Sequence, residues 1–229
     1  EQWEVKTSVN DLTGGVGFYN DGTTTRWVVN ALLLAIGQGA GLTNQGSNSL
    51  AIGNYAGESD QGYSSVAIGP YAGNTDQGNR SVAIGLRSAF FGQGAQSVMI
   101  GYNSGGSENI STNICGDFSV GIGDFVGAVG ERGIAIGHYA ARYNNGIRSI
   151  AIGFVAGETD QSNYCTAVGN SSGNDRQGYD PIDPGFATAV GSTAGFQLQG
   201  AYSTAVGANA GTYSLGKYST AIGYNTILL

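Results

Sequence analysis

The sequence predicts an all-β chain folded as a parallel β-solenoid of about twelve coils. Three observations lead there: one short motif recurs at near-constant spacing, it alternates with period two, and glycine punctuates it. A glycine preceded by Ile or Val stands at Gly37, Gly53, Gly69, Gly85, Gly101, Gly123, Gly137, Gly153, Gly169, Gly191, Gly207 and Gly223. Successive steps are 16 residues, apart from one of 14 and two of 22. Self-similarity at a fixed period is the signature of stacked units that bury a core only against their neighbours.

Residues 1–30 do not repeat. Gly17-Phe18-Tyr19-Asn20-Asp21-Gly22-Thr23 reads as a strand entering a turn, with Thr24–Val29 returning, a hairpin that would cap or connect the first coil. Residues 31–229 hold the repeat, typified by Ser65-Val66-Ala67-Ile68-Gly69-Pro70-Tyr71-Ala72-Gly73-Asn74-Thr75-Asp76-Gln77-Gly78. The Ser-Val-Ala-Ile segment is a short strand by its alternation. Glycines near its ends admit the positive φ of tight corners. Strand, corner, second short strand and corner make one flattened coil. Twelve coils stacked about 4.8 Å apart would rise roughly 55–60 Å. A helical solenoid is excluded, since glycine this frequent would cost about 1 kcal/mol per site.

Alternation divides the strand into two faces. The expected arrangement turns Val and Ile inward as an aliphatic ladder and leaves Ser and Ala outside. A bare face carrying Ala51, Ala67, Ala83, Ala135, Ala151, Ala167, Ala189, Ala205 and Ala221 would suit close approach by identical copies, so these alanines are the expected oligomer interface. Alanine fails in that column only at Met99 and Gly121. A glutamine column (Gln45, Gln61, Gln77, Gln93, Gln161, Gln177, Gln199) reads as amides hydrogen-bonded along the axis.

Composition narrows the function. With 41 glycines and only 11% charged residues among 229, the chain is neither charge-rich and disordered nor collagen-like. A net charge of −7 lacks the basic surplus that phosphate neutralisation needs, so no nucleic-acid partner is expected. No apolar run of about 18 residues could span a membrane. The first residues resemble no signal peptide, and any export signal or anchor is expected to lie outside this sequence or be lacking. Cys115 and Cys165 fit neither a disulfide framework nor a zinc spacing, and no cofactor is expected.

The motif Ser-Val-Ala-Ile-Gly-x-x-Ala resembles the head repeats of YadA-like trimeric autotransporter adhesins, also seen in viral and phage fibre proteins. The likeness covers residues 31–226. It implies a left-handed β-roll, three chains around one axis, and binding at a host surface. The sequence up to Leu229 holds no neck, stalk or membrane anchor, so the expectation takes over the head shape and not the autotransporter apparatus.

Candidate binding residues come from the departures and the exposed columns. The two 22-residue steps each insert six residues, one within 107–118 and one including Gly178–Phe186; solenoid insertions form loops, often on the binding face. Tyr179, Asp180 and Asp183 lie on the second. Tyr55, Tyr71, Phe125 and Tyr139 share the position two after the anchor, suited either to sugar rings or to packing between chains. Asp60, Asp76 and Asp160, with Glu58 and Glu158 nearby, form an acidic stripe for which solvation is preferred to calcium.

Catalytic constellations are weak. Gly169-Asn170-Ser171-Ser172-Gly173 matches a nucleophile elbow in letters, but the repeat itself generates that spacing and no helix follows. His138, the only histidine, is expected to be exposed without a partner. A hexapeptide-helix acyltransferase would show multiples of six. Asp180 with Asp183 is the one carboxylate pair worth testing for glycosidase chemistry. Ice binding is disfavoured because Thr166, Thr188, Thr204 and Thr220 share the expected inward parity of valine. The sequence therefore reads as a non-catalytic, homotrimeric attachment-fibre or adhesin head, extracellular or on a virion, binding a host glycan or protein receptor. The alternatives are a bacterial outer-membrane adhesin head and a polysaccharide-depolymerising tailspike.

Overall fold

The computed structural model describes residues 15–20, 25–30, 33–106, 115–127 and 129–226; of 15–30 it describes the backbone alone. Strands β1 (Gly15–Asn20) and β2 (Thr25–Asn30) pair antiparallel, from Gly15 opposite Asn30 to Asn20 opposite Thr25. The expected turn between them lies outside the described residues. Every further strand belongs to the solenoid: β3 (Leu33–Ile36), β4 (Ser49–Ile52), β5 (Val66–Ile68), β6 (Thr75–Gln77), β7 (Val82–Ile84), β8 (Phe91–Gln93), β9 (Val98–Ile100), β10 (Val120–Ile122), β11 (Ile134–Ile136), β12 (Tyr143–Asn145), β13 (Ile150–Ile152), β14 (Thr159–Gln161), β15 (Thr166–Val168), β16 (Thr188–Val190), β17 (Thr204–Val206) and β18 (Thr220–Ile222).

Twelve of these strands, one before each anchor glycine, form a single parallel sheet in the order β3-β4-β5-β7-β9-β10-β11-β13-β15-β16-β17-β18. About eleven turns connect them. Register is strict: Val66 lies beside Val82, Ala67 beside Ala83, Ile68 beside Ile84. The second face is thinner. Its pairs are β6 with β8 and β12 with β14, continued by single parallel bridges such as Thr159–Asp175 and Asp175–Gln197. Both insertions are absorbed without loss of register, since Val98 still meets Val120 and Thr166 still meets Thr188.

The anchor glycine permits this stacking. Gly69 has φ +120°, and a Cβ there would sit 2.7 Å from the Gly85 carbonyl oxygen of the next coil. Its N–H donates to Ile52 O at 2.7 Å. Other corners carry ordinary residues at positive φ, among them Tyr55, Tyr71 and Tyr164. Each such corner costs about 1–2 kcal/mol, offset by ladder bonds such as Tyr71 N–H to Asn54 O at 2.8 Å.

The faces are the reverse of the expected ones. Ala51, Ala67, Ala83, Ala135, Ala151, Ala167, Ala189 and Ala205 are fully buried and Ala221 nearly so, inside the coil of one chain. They cannot be an oligomer interface. Val66, Ile68, Val82 and Ile84 are stacked as expected but point outward, half-exposed. The reason is volume. The positions facing alanine across the flattened coil are also small, as with Ala56, Ala72, Ser88 and Ser104, and the serines before each strand, such as Ser65 and Ser81, turn inward too. Two layers this close have no room for a ladder of Ile or Val between them; the buried Val126, in the facing column, fits where its neighbour across the coil is Gly121, which has no side chain. Period two separates two faces but does not say which one is inside.

The two breaks in the alanine column show the same limit. Met99 is fully buried, and its neighbour in the next coil is Gly121. A Cβ on Gly121 would lie 2.6 Å from Met99 Sδ. One large residue is accommodated because the next coil carries none.

The glutamine column is interior. Gln61 Nε2 donates to Gln77 Oε1 at 3.0 Å, Gln77 to Gln93 at 3.1 Å and Gln161 to Gln177 at 2.8 Å. Each Nε2 also donates to a strand carbonyl, as Gln77 does to Val66 O at 2.9 Å. The amide-ladder reading therefore holds from Gln61 through Gln77 to Gln93 and from Gln161 to Gln177. Gln45 and Gln199 donate to backbone carbonyls instead, and Oε1 of Gln61 and of Gln199 has no hydrogen-bond partner among the described residues. Cys115 occupies a place in this column, its thiol donating to Gly105 O at 3.2 Å; Cys165 occupies a place in the serine column. Burial pushes both thiols up to about 11. The two sulfurs are free.

Candidate functional site

Three outer features could meet a partner: the broad sheet face, the aromatic columns at the corners, and the second insertion.

The sheet face carries the side chains three and one before each anchor. The first column runs Leu50, Val66, Val82, Val98, Val120, Ile134 and Ile150, then Thr166, Thr188, Thr204 and Thr220. The second is Ile or Val throughout, with Ile36, Ile122, Val190 and Ile222 among the exposed large hydrophobic residues of the chain. The four threonines, expected inside, lie on this outer face with the valines they align to. The stripe is roughly 55 Å tall, aliphatic in both columns up to Ile150 and in one column beyond it, and exceeds the scattered apolar exposure ordinary for a monomer surface.

The aromatic residues two after the anchor divide into two stacks. Tyr55 and Tyr71 are half-buried with ring centroids 5.3 Å apart, and Phe90 tilts against Tyr71 at 5.9 Å. Phe125 and Tyr139 are 5.4 Å apart and join Tyr102 and His138. His138 is half-buried, not exposed: its ring stacks on Phe154 at 5.6 Å and meets Tyr139 edge-on at 4.0 Å.

A longer column, missed in the sequence, occupies the opposite corner, five before each anchor. Tyr164, Phe186, Tyr202 and Tyr218 stack with centroids 4.7, 5.2 and 5.3 Å apart and interplanar angles of 5–23°. All four are exposed, Tyr218 by 72%. Arg148 continues the column, its guanidinium 5.6 Å from the Tyr164 ring and donating to its hydroxyl at 3.0 Å. Below it Arg132 lies over Phe118 at 5.3 Å. The signal was an aromatic residue directly before the serine column in Tyr202-Ser203 and Tyr218-Ser219.

The second insertion is held against the coils that follow it. Asp180 Oδ1 accepts the N–H groups of Ile182 (2.9 Å) and Asp183 (2.7 Å), and its Oδ2 pairs with Lys217 Nζ at 3.1 Å. These bonds hold the Asp180 carboxyl below its usual range and raise the Lys217 ammonium above its own. Asp183 accepts from the Tyr202 hydroxyl at 2.7 Å, which raises that phenol. Pro181-Ile182-Asp183-Pro184 thus projects as a fixed turn with Ile182 91% exposed at its tip and Tyr179 exposed at its base. The first insertion falls largely on residues 107–114, outside the described residues.

The structure does not bring the sequence-predicted residues together. Tyr55 and Tyr71, Phe125 and Tyr139, and Tyr179 with Asp180 and Asp183 form three separate groups. Four of the five acidic residues are matched by an amide donor, Asp76 being the exception. Asn44 donates to Asp60 at 2.9 Å and Asn144 to Asp160 at 2.7 Å; Asn74 and Asn174 donate to Glu58 and Glu158 at 2.8 and 3.1 Å. The bonds from Asn44 and Ser59 lower the Asp60 pKa. Among the described residues no group of three or more His, Cys, Asp or Glu side chains could hold a metal ion.

No protein-family profile, curated protein or solved structure matches the chain.

Proposed function

We propose that this chain is the rigid head or shaft segment of a homotrimeric attachment fibre, a binder and not a catalyst. In this reading three left-handed rolls stand side by side around one axis, outside the cell or on a virion. The single observation that carries it is the aliphatic stripe along the sheet. Among the described residues of one chain nothing covers it, and burying its aliphatic side chains against copies of the same chain removes that surface from water at about 25 cal/mol per Å². The apolar face of the reading is thus Val and Ile, in place of the alanines first expected.

Receptor contact falls to the second insertion. Ile182 and Tyr179 offer apolar surface on a turn already ordered by Asp180 and Asp183, so little freedom is lost on binding. Three copies of a weak contact gain avidity from one rigid support. The partner is a host-surface glycan or protein. A depolymerase acid would need a raised carboxyl pKa; Asp180 is lowered instead, by groups of its own loop and Lys217.

Molar mass in solution tests the assembly: the chain is 23.3 kDa, so a species of about three times that mass is expected and a solitary chain overturns the reading. Glycan-array and cell-surface binding test the role, with Ile182→Asp expected to abolish attachment while leaving mass unchanged. New reducing ends from a polysaccharide, lost in Asp180→Ala or Asp183→Ala, would make the protein an enzyme instead.

A further inference from the structure

We propose that the column of Tyr164, Phe186, Tyr202 and Tyr218 is a glycan site. It is a rail on which one strand of an extended, β-1,4-linked polysaccharide lies along the solenoid axis, one sugar to each coil. The site belongs to a single chain and goes beyond the receptor role of the insertion tip.

The step of the column carries the argument. Stacking sets its exposed rings 4.7, 5.2 and 5.3 Å apart, because successive coils rise by about 4.8 Å. A pyranose in an extended chain of equatorial linkages advances by roughly that same coil step, so sugar and ring stay in phase over all four coils. Each sugar has apolar C–H faces and a belt of hydroxyls. The C–H face packs on exposed aromatic surface, and tyrosine adds a hydroxyl. An α-1,4-linked chain of the same sugar curves away and loses phase. The other ring stacks break phase themselves: Phe90 is tilted 56° to Tyr71, and Tyr102 lies edge-on to Phe125.

Polar groups flank the rail. The Tyr164 hydroxyl accepts from Arg148 at 3.0 Å and keeps its own proton to donate. Asp183 accepts from the Tyr202 hydroxyl through Oδ2 at 2.7 Å, which leaves Oδ1 for a sugar hydroxyl. Lys217 pairs with Asp180 and stands 5.7 and 5.2 Å from the Tyr202 and Tyr218 ring centres, with further N–H groups to donate. Insertion and rail form a wall and a floor, both fixed before a ligand arrives. The wall also keeps the corner open. The turn carrying Ile182, 91% exposed, projects from this same edge, so copies joined through the sheet face cannot close over the rail without displacing it.

Ligand-observed saturation-transfer NMR on the intact protein tests the rail. The probes are cello-oligosaccharides of two to six residues, with malto-oligosaccharides of equal length as the curved control. For the cello series alone, affinity is expected to rise about two- to tenfold with each added sugar up to four and to level off beyond. Phe186→Ala and Tyr218→Ala should each lower cellotetraose affinity at least about threefold with an unchanged far-ultraviolet spectrum. Tyr71→Ala, in the other stack, should leave it unaltered. Ile182→Asp should also leave it unaltered while abolishing attachment, so a failed receptor role and a failed rail are told apart. Length-independent binding, equal binding of the malto series, equal loss in Tyr71→Ala, or no binding of either series overturns the rail.

Discussion

Met99 and Gly121 give the sharpest mutational test of which strand face is interior. Met99 is fully buried where other coils have alanine, and Gly121 lies beside it in the next coil with room for no Cβ. Met99→Ala removes a buried thioether chain and leaves a void, a loss of about 2–5 kcal/mol. Gly121→Ala brings a methyl to 2.6 Å from Met99 Sδ; a flexible side chain must give way, at about 1–3 kcal/mol. The double variant restores the alanine pair found at Ala67 and Ala83 and should unfold within about 1 kcal/mol of the parent, a coupling of several kcal/mol. Urea unfolding followed by far-ultraviolet circular dichroism measures all four corners of the cycle. If the alanine face were outside, each single change would fall within about 0.5 kcal/mol and the two would add. That outcome would refute the interior assignment.

Three further outcomes follow from the same geometry. Gly69→Ala forces an unfavourable φ and a 2.7 Å contact with the Gly85 carbonyl, disturbing two ladder bonds. A loss of about 3–5 kcal/mol is expected. Gly216→Ala, whose Cβ would meet only Ser219 Oγ at 3.3 Å, should be near neutral in the same urea assay, and equal effects would contradict the close stacking. The buried thiols give a pH signature. Their folded pKa of about 11 exceeds the ordinary 9.0, so their contribution is complete below pH 9 and is lost as pH rises towards 11; unfolding at pH 8 and 10.5 should show this loss, and Cys115→Ala with Cys165→Ala should remove it. For the insertion, Asp180→Ala should speed amide hydrogen exchange at Ile182 and Asp183 with no change in the unfolding midpoint. In the parent the lowered Asp180 pKa keeps that protection above pH 3.8 and loses it as pH falls through the folded value. Equal exchange in variant and parent would mean the backbone alone orders the turn.

Much of the architecture was legible because the repeat spells it out. Anchor spacing fixed coil number and register, and the amide ladder followed from glutamines at one phase. Orientation was not legible. Ser-Val-Ala-Ile alternates equally well with either face inside, and the usual preference for burying Val over Ala points the wrong way when the coil is too thin for it. The sign of a thin coil was present in the other inward positions, Ala72, Ser88 and Gly73, all too small to face an isoleucine. The inversion carries through the site: the threonines move outside, the alanines leave the interface, and the stripe replaces them. The column of Tyr164, Phe186, Tyr202 and Tyr218 was hidden because earlier coils hold Asn48, Ser64 and Arg80 at the same position, so no aromatic consensus forms. The fixing of the insertion depends on Lys217 and Tyr202, distant in sequence and brought beside it only by stacking.

One measurement addresses the central claim, that small residues fill the coil and aliphatic ones join copies. Ile84 and Ile136 are replaced by aspartate together, and molar mass and far-ultraviolet circular dichroism are recorded on the same sample. The predicted result is a folded β-protein with the mass of one chain, 23.3 kDa, against three times that mass for the parent. Loss of the β spectrum would place these side chains inside the coil, and an undiminished mass would remove the stripe from the assembly; either contradicts the account.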